Sequence, residues 1–349
     1  MSGKLSKLKK IYNNMDITTE LSNPDCWASF GNARLNELAT GSFRRGLPNR
    51  RLVMLYGPSG TGKSLLIGNA TKDIQDLGYP IIYIDTEDAA DDKFLTRLGL
   101  NITDPEKFLP VKCYTIEQVA SVVSEIFREF SPDEKIAIIV DSLGMLETED
   151  HYETYEKKGE LKNDMGLLAK KTKKLLKNIN SKVGNRDCFF LVNQHSYKNQ
   201  DVTDGRGVNV VSGGEAQIYI PSITLMLKKL NLKDGKDITG VRITAEAKKT
   251  RFTKLGGKVE MSVPWETGID FYDGLIERME EVHPRLSKNG AWYTYITTDG
   301  EEVKFQKKDA APYLETMIDE VDVDTIEENL DEDFPVDVDN QKVQKSKKK

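Results

Sequence analysis

The sequence predicts an α/β fold built on a twisted, mostly parallel sheet. A glycine-rich segment at residues 57–64 lies between a short apolar run and a helical pattern. A second uninterrupted apolar run, residues 136–141, ends in a carboxylate, and continuous apolarity is typical of strands covered on both faces. Helical patterns alternate with such runs, as expected for strands joined by crossover helices. We therefore expect a central sheet flanked by helices.

The glycine-rich segment matches every fixed position of the phosphate-binding pattern G-x-x-x-x-G-K-[ST]. It reads Gly57, Pro58, Ser59, Gly60, Thr61, Gly62, Lys63, Ser64. Its glycines let backbone N–H groups point at phosphate oxygens, and a helix predicted over residues 64–77 adds the positive end of its dipole. Lys63 would then reach the β- and γ-phosphates, and the Ser64 hydroxyl would bind Mg²⁺. A chance glycine-rich turn would not have both flanks correct, so we predict a site for ATP and Mg²⁺.

Asp141 ends the apolar run 136–141, which is predicted to be a strand beside the phosphate loop. A carboxylate at a strand end is weak evidence for a metal ligand by itself. After an intact phosphate loop, however, it stands where P-loop ATPases hold the hydration shell of Mg²⁺. We therefore predict that Asp141 is a second ligand of the metal ion and part of the nucleotide site.

Composition favours a globular protein of the reducing cytoplasm. The 349 residues allow one large domain with extensions or two domains, and 38% of them are hydrophobic and 30% charged. No apolar run approaches the ~20 residues that span a bilayer, and the first residues lack the apolar block of a signal peptide. The cysteines, Cys26, Cys113 and Cys188, are scattered, so neither a disulfide framework nor a zinc site is indicated.

The formal net charge of −6 is concentrated near the C-terminus. Residues 319–339 hold eleven acidic residues and no basic one, whereas residues 341–349 hold five lysines. Without these two runs, residues 1–318 carry no net charge. Such an acidic segment resists packing because its charges repel, so we expect an acidic and then basic disordered tail over residues 319–349.

The remaining pattern divides the chain into an N-terminal segment, a core and a small C-terminal domain. The N-terminal segment, 1–34, is polar and too short to form a core of its own, and we expect it to serve oligomerisation. The ATPase core is predicted over 35–273 and the small domain over 274–318. Within the core, helices are expected over 91–98, 116–130 and 165–179, strands over 79–84, 188–192, 221–227, 241–247 and 259–263, and loops over 145–163 and 196–214.

Several ordered segments resemble the RecA recombinase superfamily, most of all the UvsX-type recombinases of tailed bacteriophages. The resemblance covers roughly residues 35–295. Besides the phosphate loop it rests on residues 84–91, 97–99, 140–144, 163–167, 192–195, 213–214, 268–272 and 290–293. It implies a RecA-like P-loop ATPase core with a twisted, mostly parallel sheet, a short N-terminal extension and a small C-terminal region.

The resemblance also implies roles for individual residues in ATP hydrolysis. Glu87 would activate the water that attacks the γ-phosphate, Gln194 would sense that phosphate, and Phe94 would stack on adenine. Lys249 and Arg251 would reach the ATP held by a neighbouring subunit and stabilise charge in the transition state. Without the resemblance, these last two would be read as exposed charges at a strand end.

Two DNA-binding loops are implied, one near residues 151–163 and one beginning at residue 196. The second loop has few cations and no aromatic residue over 201–208, which departs from the usual combination of charge and stacking in single-strand binding. Glycine N–H groups can meet phosphates instead. The candidate DNA-binding residues are Lys157, Lys158, Lys198, Arg206, Gly207, Gly213 and Gly214.

The resemblance implies a DNA-dependent ATPase that forms helical filaments on single-stranded DNA and exchanges strands with homologous duplex DNA. Its roles would be phage recombination, repair and recombination-dependent replication in the cytoplasm of an infected bacterium. Its partners would be other copies of the chain, a single-strand-binding protein and a recombination mediator, with no membrane. Two alternatives stay open: a hexameric helicase, which normally carries a separate large N-terminal domain, and a RecA-like accessory ATPase without strand exchange.

Overall fold

The computed structural model describes residues 3–14, 22–88, 91–159, 165–199, 208–211, 217–254 and 257–331. It divides into a larger unit, Met1–Arg278, and a smaller unit, Met279–Lys349. The division falls a few residues after the predicted boundary at residue 274. None of the helices in these described ranges is long and apolar enough to cross a membrane.

The larger unit is built on a mostly parallel sheet. Its described strands are β1 (Trp27–Ala28), β2 (Leu47–Pro48), β3 (Arg51–Gly57), β4 (Ile81–Asp85), β5 (Phe108–Lys112), β6 (Ile136–Asp141), β7 (Cys188–Asn199), β8 (Val208–Val211), β9 (Ile223–Asp234), β10 (Asp237–Lys249) and β11 (Lys258–Pro264). The main sheet has the order β11-β10-β9-β3-β7-β6-β4-β5, and β8 pairs with β7. The strands from β9 to β5 are parallel, whereas β10, β11 and β8 run antiparallel to their neighbours.

Helices connect the parallel strands. Those described in the larger unit are α1 (Gly3–Asn14), α2 (Ala33–Thr40), α3 (Lys63–Asp76), α4 (Asp92–Arg97), α5 (Ile116–Glu129), α6 (Glu149–Lys158) and α7 (Met165–Val183). Their starts follow local sequence rules: Asn32 caps α2, Asp91 caps α4, and Thr115 forms a capping box with Gln118 at α5. A further helix, α8 (Leu275–Val282), follows β11.

The sheet is covered by helices on both faces, which confirms the predicted fold class. Because successive side chains of a strand point to opposite faces, β3 contributes to two buried clusters. Val53 and Leu55 belong to a cluster with residues of α2 and α3. Leu52 and Met54 belong to a second cluster with residues of α5 and α7. This double burial explains why β3 and β6 read as continuous apolar runs.

The smaller unit holds β12 (Leu286–Asn289), β13 (Trp292–Ile296) and β14 (Glu302–Gln306), followed by α9 (Ala311–Asp331). The described strands pair antiparallel in sequence order. A polar cluster ties β13 to α9, because Tyr295 and His283 both hydrogen-bond Glu320, at 3.0 Å and 2.7 Å. The Arg285 N–H donates to Nδ1 of His283, so the Nε2 of that ring carries the proton given to Glu320.

The prediction of a loop over residues 145–163 was wrong for α6. Thr148 caps this helix by accepting from the His151 N–H. Glu149 and Asp150 lie in its first turn, and lysines lie in its last, so its charges match the helix dipole. Capping and charge stabilise a helix that has almost no apolar period, and the sequence pattern missed it for that reason.

The prediction of a loop over residues 196–214 was also wrong at residues 196–199 and 208–211. β7 continues to Asn199, seven residues past the predicted strand end, and pairs antiparallel with β8. Ser196 lies opposite Val211 in this hairpin. The valines of β8 were too few and too scattered to indicate a strand, although β-branched residues favour one. Residues 200–207 and 212–216 lie outside the described residues.

The predicted limits of the core and of the tail also need correction. Ala28 and Phe30 are fully buried in the core, so the folded body begins before residue 35. The predicted tail begins at residue 319, but α9 continues to Asp331. Glu320 is accommodated there because His283 and Arg285 surround its charge. At Glu320, these pairs therefore offset the like-charge repulsion on which the prediction rested. The rest of the predicted tail lies outside the described residues.

Candidate nucleotide-binding site

The phosphate loop connects the end of β3 to the start of α3, as predicted. Its glycines are required by close packing as well as by backbone conformation. A Cβ on Gly57 would lie 2.4 Å from the carbonyl oxygen of Leu227 on β9. Gly62 has φ of +86°, and a Cβ there would lie 2.5 Å from Ile243 on β10. The loop is thus held in a cradle that side chains would fill.

Lys63 lies under this loop with only 5% of its surface exposed. Its Nζ donates hydrogen bonds to the carbonyl oxygens of Gly57 at 3.0 Å and Pro58 at 2.9 Å. Burial lowers the pKa of Lys63, whereas the charges of Asp141 and Glu87 raise it. A phosphate group would supply the negative charge that this buried ammonium lacks. The geometry therefore suits phosphate binding.

A cavity of about 330 Å³ adjoins the loop. It lies beyond the carboxyl ends of β4 and β6, where ligands bind in open parallel sheets. Its walls come from α3, β4, α4 and β6 and from the residues that follow β4. The lining residues are Ser64, Tyr83, Asp85, Glu87, Asp91, Phe94, Leu95 and Asp141. The structure thus brings together four predicted site residues from three separate segments of the sequence, namely Ser64, Glu87, Phe94 and Asp141.

Asp141 is held by donors from two neighbouring strands. The Tyr83 hydroxyl donates to one carboxylate oxygen at 2.9 Å, and the Asn193 side-chain amide donates to the other. Burial raises the pKa of Asp141, while these hydrogen bonds and one with Ser64 lower it. The carboxylate is thus fixed in direction at the cavity wall.

Ser64 and Asp141 fit a Mg²⁺ ion by their chemistry. Both present oxygen atoms, the ligands that this hard cation prefers, and both line the same cavity. Burial disfavours the charge on Asp141, and a cation beside it would restore the ionised form. When bound, Mg²⁺ would neutralise charge on the nucleotide phosphates.

Glu87 lies two residues beyond the end of β4. One of its oxygens accepts a hydrogen bond from the Ser142 hydroxyl and lies 2.6 Å from Nε2 of His195. The hydrogen bond with His195 lowers the pKa of Glu87 most, burial raises it, and the net change is downward. The carboxylate is therefore ionised near neutral pH, which a general base requires.

Gln194 lies on β7 and is 1% exposed. Its Nε2 donates to the Gln217 side-chain oxygen at 3.0 Å, and its Oε1 accepts from the His195 N–H at 2.9 Å. Among the described residues, Gln194 is not one of those that line the cavity. The predicted phosphate sensor thus lies beside the site but not in the wall of the cavity.

Lys249 ends β10, which lies two strands from the phosphate loop strand β3 in the sheet, and Arg251 comes two residues later. Neither residue lines the cavity in the part of the chain that the structure describes. The Lys249 Nζ donates to the carbonyl oxygen of Tyr219. Burial, and then the charge of Arg251, lowers the pKa of Lys249. Action on the ATP of a neighbouring subunit stays a prediction for both residues.

The predicted DNA-binding residues are only partly described. Lys157 and Lys158 lie in the last turn of α6, where Lys157 pairs with Glu153 at 2.5 Å. Lys198 belongs to the hairpin of β7 and β8. The other predicted positions lie outside the described residues, namely Arg206, Gly207, Gly213 and Gly214.

Sequence reasoning missed several side chains that surround the site. Asn193 and His195 flank Gln194 in a segment that the prediction used, and Ser142 follows Asp141, so proximity to a predicted residue was the available signal. Lys229 had no signal: its Nζ lies 2.8 Å from the position that a Cβ of Gly60 would take, beside the phosphate loop. No local sequence pattern indicated Gln217 either, because its hydrogen-bond partner, Gln194, lies 23 residues away.

Comparison with known proteins agrees with this geometry. The chain is similar to the protein RecA of Gloeothece citriformis, with 27% identity over 286 residues that cover 81% of this chain and 75% of the relative. It is also similar to the protein RecA of Pseudomonas fluorescens, with 28% identity over 274 residues, or 77% and 73% of the two chains. Residues 18–270, more than half of the chain, match the RecA N-terminal domain. The chain therefore belongs to the RecA N-terminal domain family.

Proposed function

We propose that this chain is a RecA-type, DNA-dependent ATPase that assembles on single-stranded DNA and exchanges strands with homologous duplex DNA. The observation that carries the proposal is the cavity beside the phosphate loop. It brings together Ser64 of the phosphate-binding loop and Asp141, two oxygen ligands of the kind that Mg²⁺ prefers, with an ionised glutamate, Glu87. The strand β7, which leads out of this site, continues into the predicted second DNA-binding segment. Family membership supports the same activity.

Each residue of the site has its own role in ATP hydrolysis. Lys63 and the loop N–H groups bind the phosphates, and Phe94 at the cavity wall contacts the base. Glu87 lines the cavity and takes a proton from the attacking water, while Ser142 and His195 hold one of its oxygens in place. Ser64 and Asp141 would hold Mg²⁺.

An exposed aromatic residue supports contact with single-stranded DNA. Tyr197 follows His195 by two residues on β7, so both side chains lie on the same face of the strand. Its side chain is 55% exposed. Base stacking on an aromatic ring, together with cations such as Lys198, is the usual means of binding single strands without sequence preference. Tyr197 thus supplies the aromatic that residues 201–208 lack.

Action across a subunit boundary is part of the proposal. Lys249 and Arg251 contribute nothing to the wall of the described cavity of their own chain, yet transition-state charge on the γ-phosphate calls for further cations. We place them at the ATP of a neighbouring copy, which would make hydrolysis depend on assembly. The N-terminal helix α1 exposes Leu5 and Ile11, as expected for a segment that contacts another copy.

Within the family, we propose the phage UvsX type. The support is the set of ordered segments that resemble those recombinases, notably residues 84–91 and 290–293. The corresponding roles are recombination, repair and recombination-dependent replication. A single-strand-binding protein and a recombination mediator would be its partners on DNA.

The test measures ATP hydrolysis with and without single-stranded DNA and examines the same samples by electron microscopy. We expect DNA to stimulate hydrolysis and long filaments to form with it, and we expect strand exchange with a homologous duplex. Rings with duplex unwinding would favour a helicase instead. Hydrolysis without DNA stimulation and without filaments would favour an accessory ATPase.

A further inference from the structure

The Thr86 hydroxyl joins the two chain segments that carry the carboxylates of the site. Thr86 follows β4 and precedes Glu87, and Ser142 follows β6 directly after Asp141. The Ser142 N–H donates to the Thr86 hydroxyl at 2.8 Å, and that hydroxyl donates to the Ser142 carbonyl oxygen. Both residues are buried, with 7% and 0% exposure. Because a hydroxyl can donate and accept at the same time, one side chain holds both backbone groups of its neighbour.

This hydroxyl takes the place of a strand partner that the backbone does not supply. β4 and β6 pair in parallel up to Asp85 and Asp141, and the Thr86 N–H still donates to the Asp141 carbonyl oxygen at 3.0 Å. Ser142 is extended, with φ of −128° and ψ of 162°, so its N–H and C=O point to one side, as in a parallel ladder. Asp88, however, has a left-handed φ of +54°, and the chain after β4 turns away. The side chain of Thr86 therefore completes the pairing.

Ser142 in turn holds the predicted general base. Its hydroxyl donates to Oε1 of Glu87, the oxygen that also lies 2.6 Å from Nε2 of His195. Glu87 lines the cavity, whereas Thr86 and Ser142 are not among the described residues that line it. One of the two contacts on the carboxylate thus depends on where the backbone of Ser142 lies.

The hydroxyl is the part of Thr86 that this arrangement uses. Valine has nearly the same shape as threonine, so either side chain would fill the space. Valine would, however, leave the buried N–H and C=O of Ser142 without this partner, and such groups are costly when unsatisfied. Ser142 would then move toward other partners, and its hydroxyl would move with it.

We propose that Thr86 is a positioning residue for ATP hydrolysis, because its hydroxyl fixes Ser142 and Ser142 fixes the carboxylate of Glu87. The inference rests on the proposed function, in which Glu87 takes a proton from the attacking water. The hydrogen bonds of the Thr86 hydroxyl are with Ser142 and not with the phosphate loop. Thr86 therefore acts on the chemical step and not on nucleotide binding.

Thr86→Val removes the hydroxyl and keeps the backbone N–H that donates to Asp141. We expect kcat for ATP hydrolysis on single-stranded DNA to fall about tenfold, less than the ~10²-fold that a misplacement of about 1 Å can cost, because His195 still holds the carboxylate. The KM for ATP and the affinity for ADP, measured by calorimetry, should not change, because the phosphate loop keeps its contacts.

Three further variants separate this role from a loss of structure. Thr86→Ser keeps the hydroxyl and should keep kcat near that of the wild type. Thr71→Val removes another buried threonine hydroxyl, which donates to the Ile67 carbonyl oxygen at 2.7 Å within α3, and should leave kcat unchanged. Thr86→Ala removes the hydroxyl without adding a methyl group beside two polar atoms. It should lower kcat as Thr86→Val does, and it decides the matter if thermal unfolding shows that Thr86→Val is not folded.

A double variant shows whether Thr86 acts through Glu87. In Glu87→Gln, the base is already lost, so adding Thr86→Val should slow hydrolysis little further. A further tenfold decrease in the double variant would mean that Thr86 acts independently of Glu87, which contradicts the inference.

The inference is also overturned if the folded Thr86→Val or Thr86→Ala variant keeps the wild-type kcat, or if its affinity for ADP falls. It is overturned as well if Thr86→Ser or Thr71→Val loses as much activity as Thr86→Val. Failure of the proposed role of Glu87 looks different, because Glu87→Gln would then hydrolyse ATP at the wild-type rate and the inference would fall with it. A slow Glu87→Gln beside a normal Thr86→Val would remove Thr86 alone.

Discussion

Two carboxylates at the cavity, Glu87 and Asp141, have pKa values shifted in opposite directions. Hydrogen bonds from His195 and Ser142 lower the pKa of Glu87. Burial raises the pKa of Asp141. Pairs of titratable groups separated in this way usually have different roles. The ionised Glu87 suits proton abstraction, and Asp141 suits a site where a cation restores its charge.

Lys63→Ala should abolish ATP binding and every activity that depends on it. The phosphate charges lose their main cation inside a site from which solvent is largely excluded. Nucleotide binding measured by calorimetry checks this, and thermal unfolding shows whether the variant is folded. A folded variant with wild-type affinity would remove Lys63 from the site.

Glu87→Gln should still bind ATP and DNA but hydrolyse ATP ~10²–10⁴-fold more slowly, the usual effect of losing a positioned base. Filaments should therefore last longer. Single-turnover hydrolysis on single-stranded DNA measures the rate. Glu147→Gln is a matched control, because Glu147 also pairs with a histidine, His151 at 3.0 Å, but does not line the cavity. Equal rates for the two variants would contradict the role of Glu87.

Residues inside a continuous motif could be predicted from the sequence, and residues paired through the fold could not. Lys63 and Ser64 stand at fixed positions of the phosphate loop, and Asp141 ends an apolar run. The partner of Glu87, His195, lies 108 residues away in the chain. No local pattern encodes that pairing, because it depends on the spatial order of β4, β6 and β7.

At the scale of secondary structure, the register of β7 positions the hydrolysis residues. β7 runs parallel to β3, with Gln194 opposite Tyr56 and His195 opposite Gly57. The end of the phosphate loop strand and the start of the predicted DNA-binding segment are therefore neighbours in the sheet. In the proposed function, this short distance would let ATP binding and DNA binding affect each other.

In the smaller unit, Glu320→Gln should weaken the attachment of α9 to β13 by about 1–3 kcal/mol, the cost of leaving buried donors unsatisfied. Burial raises the pKa of Glu320, but hydrogen bonds with His283, Tyr295 and Arg285 lower it below its ordinary 4.5. The stabilisation should thus be complete above pH 4.5 and decrease as pH falls through the lowered pKa.

Amide hydrogen exchange in peptides from β13 and α9 measures this change locally. The control is Glu302→Gln, which removes an exposed pair with Lys304 and should alter exchange little. Equal protection in wild type and Glu320→Gln at pH 7 would show that the cluster does not stabilise the unit.

Elements with a strong apolar period could be predicted from the sequence, whereas those held by caps, charges or pairing could not. β6 and α5 followed the expected bounds closely because their buried faces repeat regularly. α6 is stabilised by a cap and by its charges, and β8 by its pairing with β7. Pairing is a tertiary property, so the sequence of β8 alone read as a loop.

At the scale of the whole molecule, the two cations that the resemblance assigns to the ATP of a neighbouring subunit are not part of the described site of their own chain. Lys249 and Arg251 are absent from the described wall of the cavity. Lys249→Ala or Arg251→Ala subunits should therefore fold and bind ATP, yet show little DNA-stimulated hydrolysis. ATP affinity measured beside the hydrolysis rate checks this, and a loss of ATP binding in the single chain would place these residues in their own site.

Mixing variants tests most directly whether hydrolysis requires a site shared between copies assembled on DNA. Lys63→Ala subunits keep Lys249, and Lys249→Ala subunits keep the phosphate loop, so some junctions in a mixed filament contain one intact site. Hydrolysis is measured on single-stranded DNA over a series of mixing ratios. We predict that each variant alone is inactive and that mixtures regain activity, with a maximum at intermediate ratios. Mixtures that stay inactive at every ratio, although both variants enter the same filaments, would contradict a shared site.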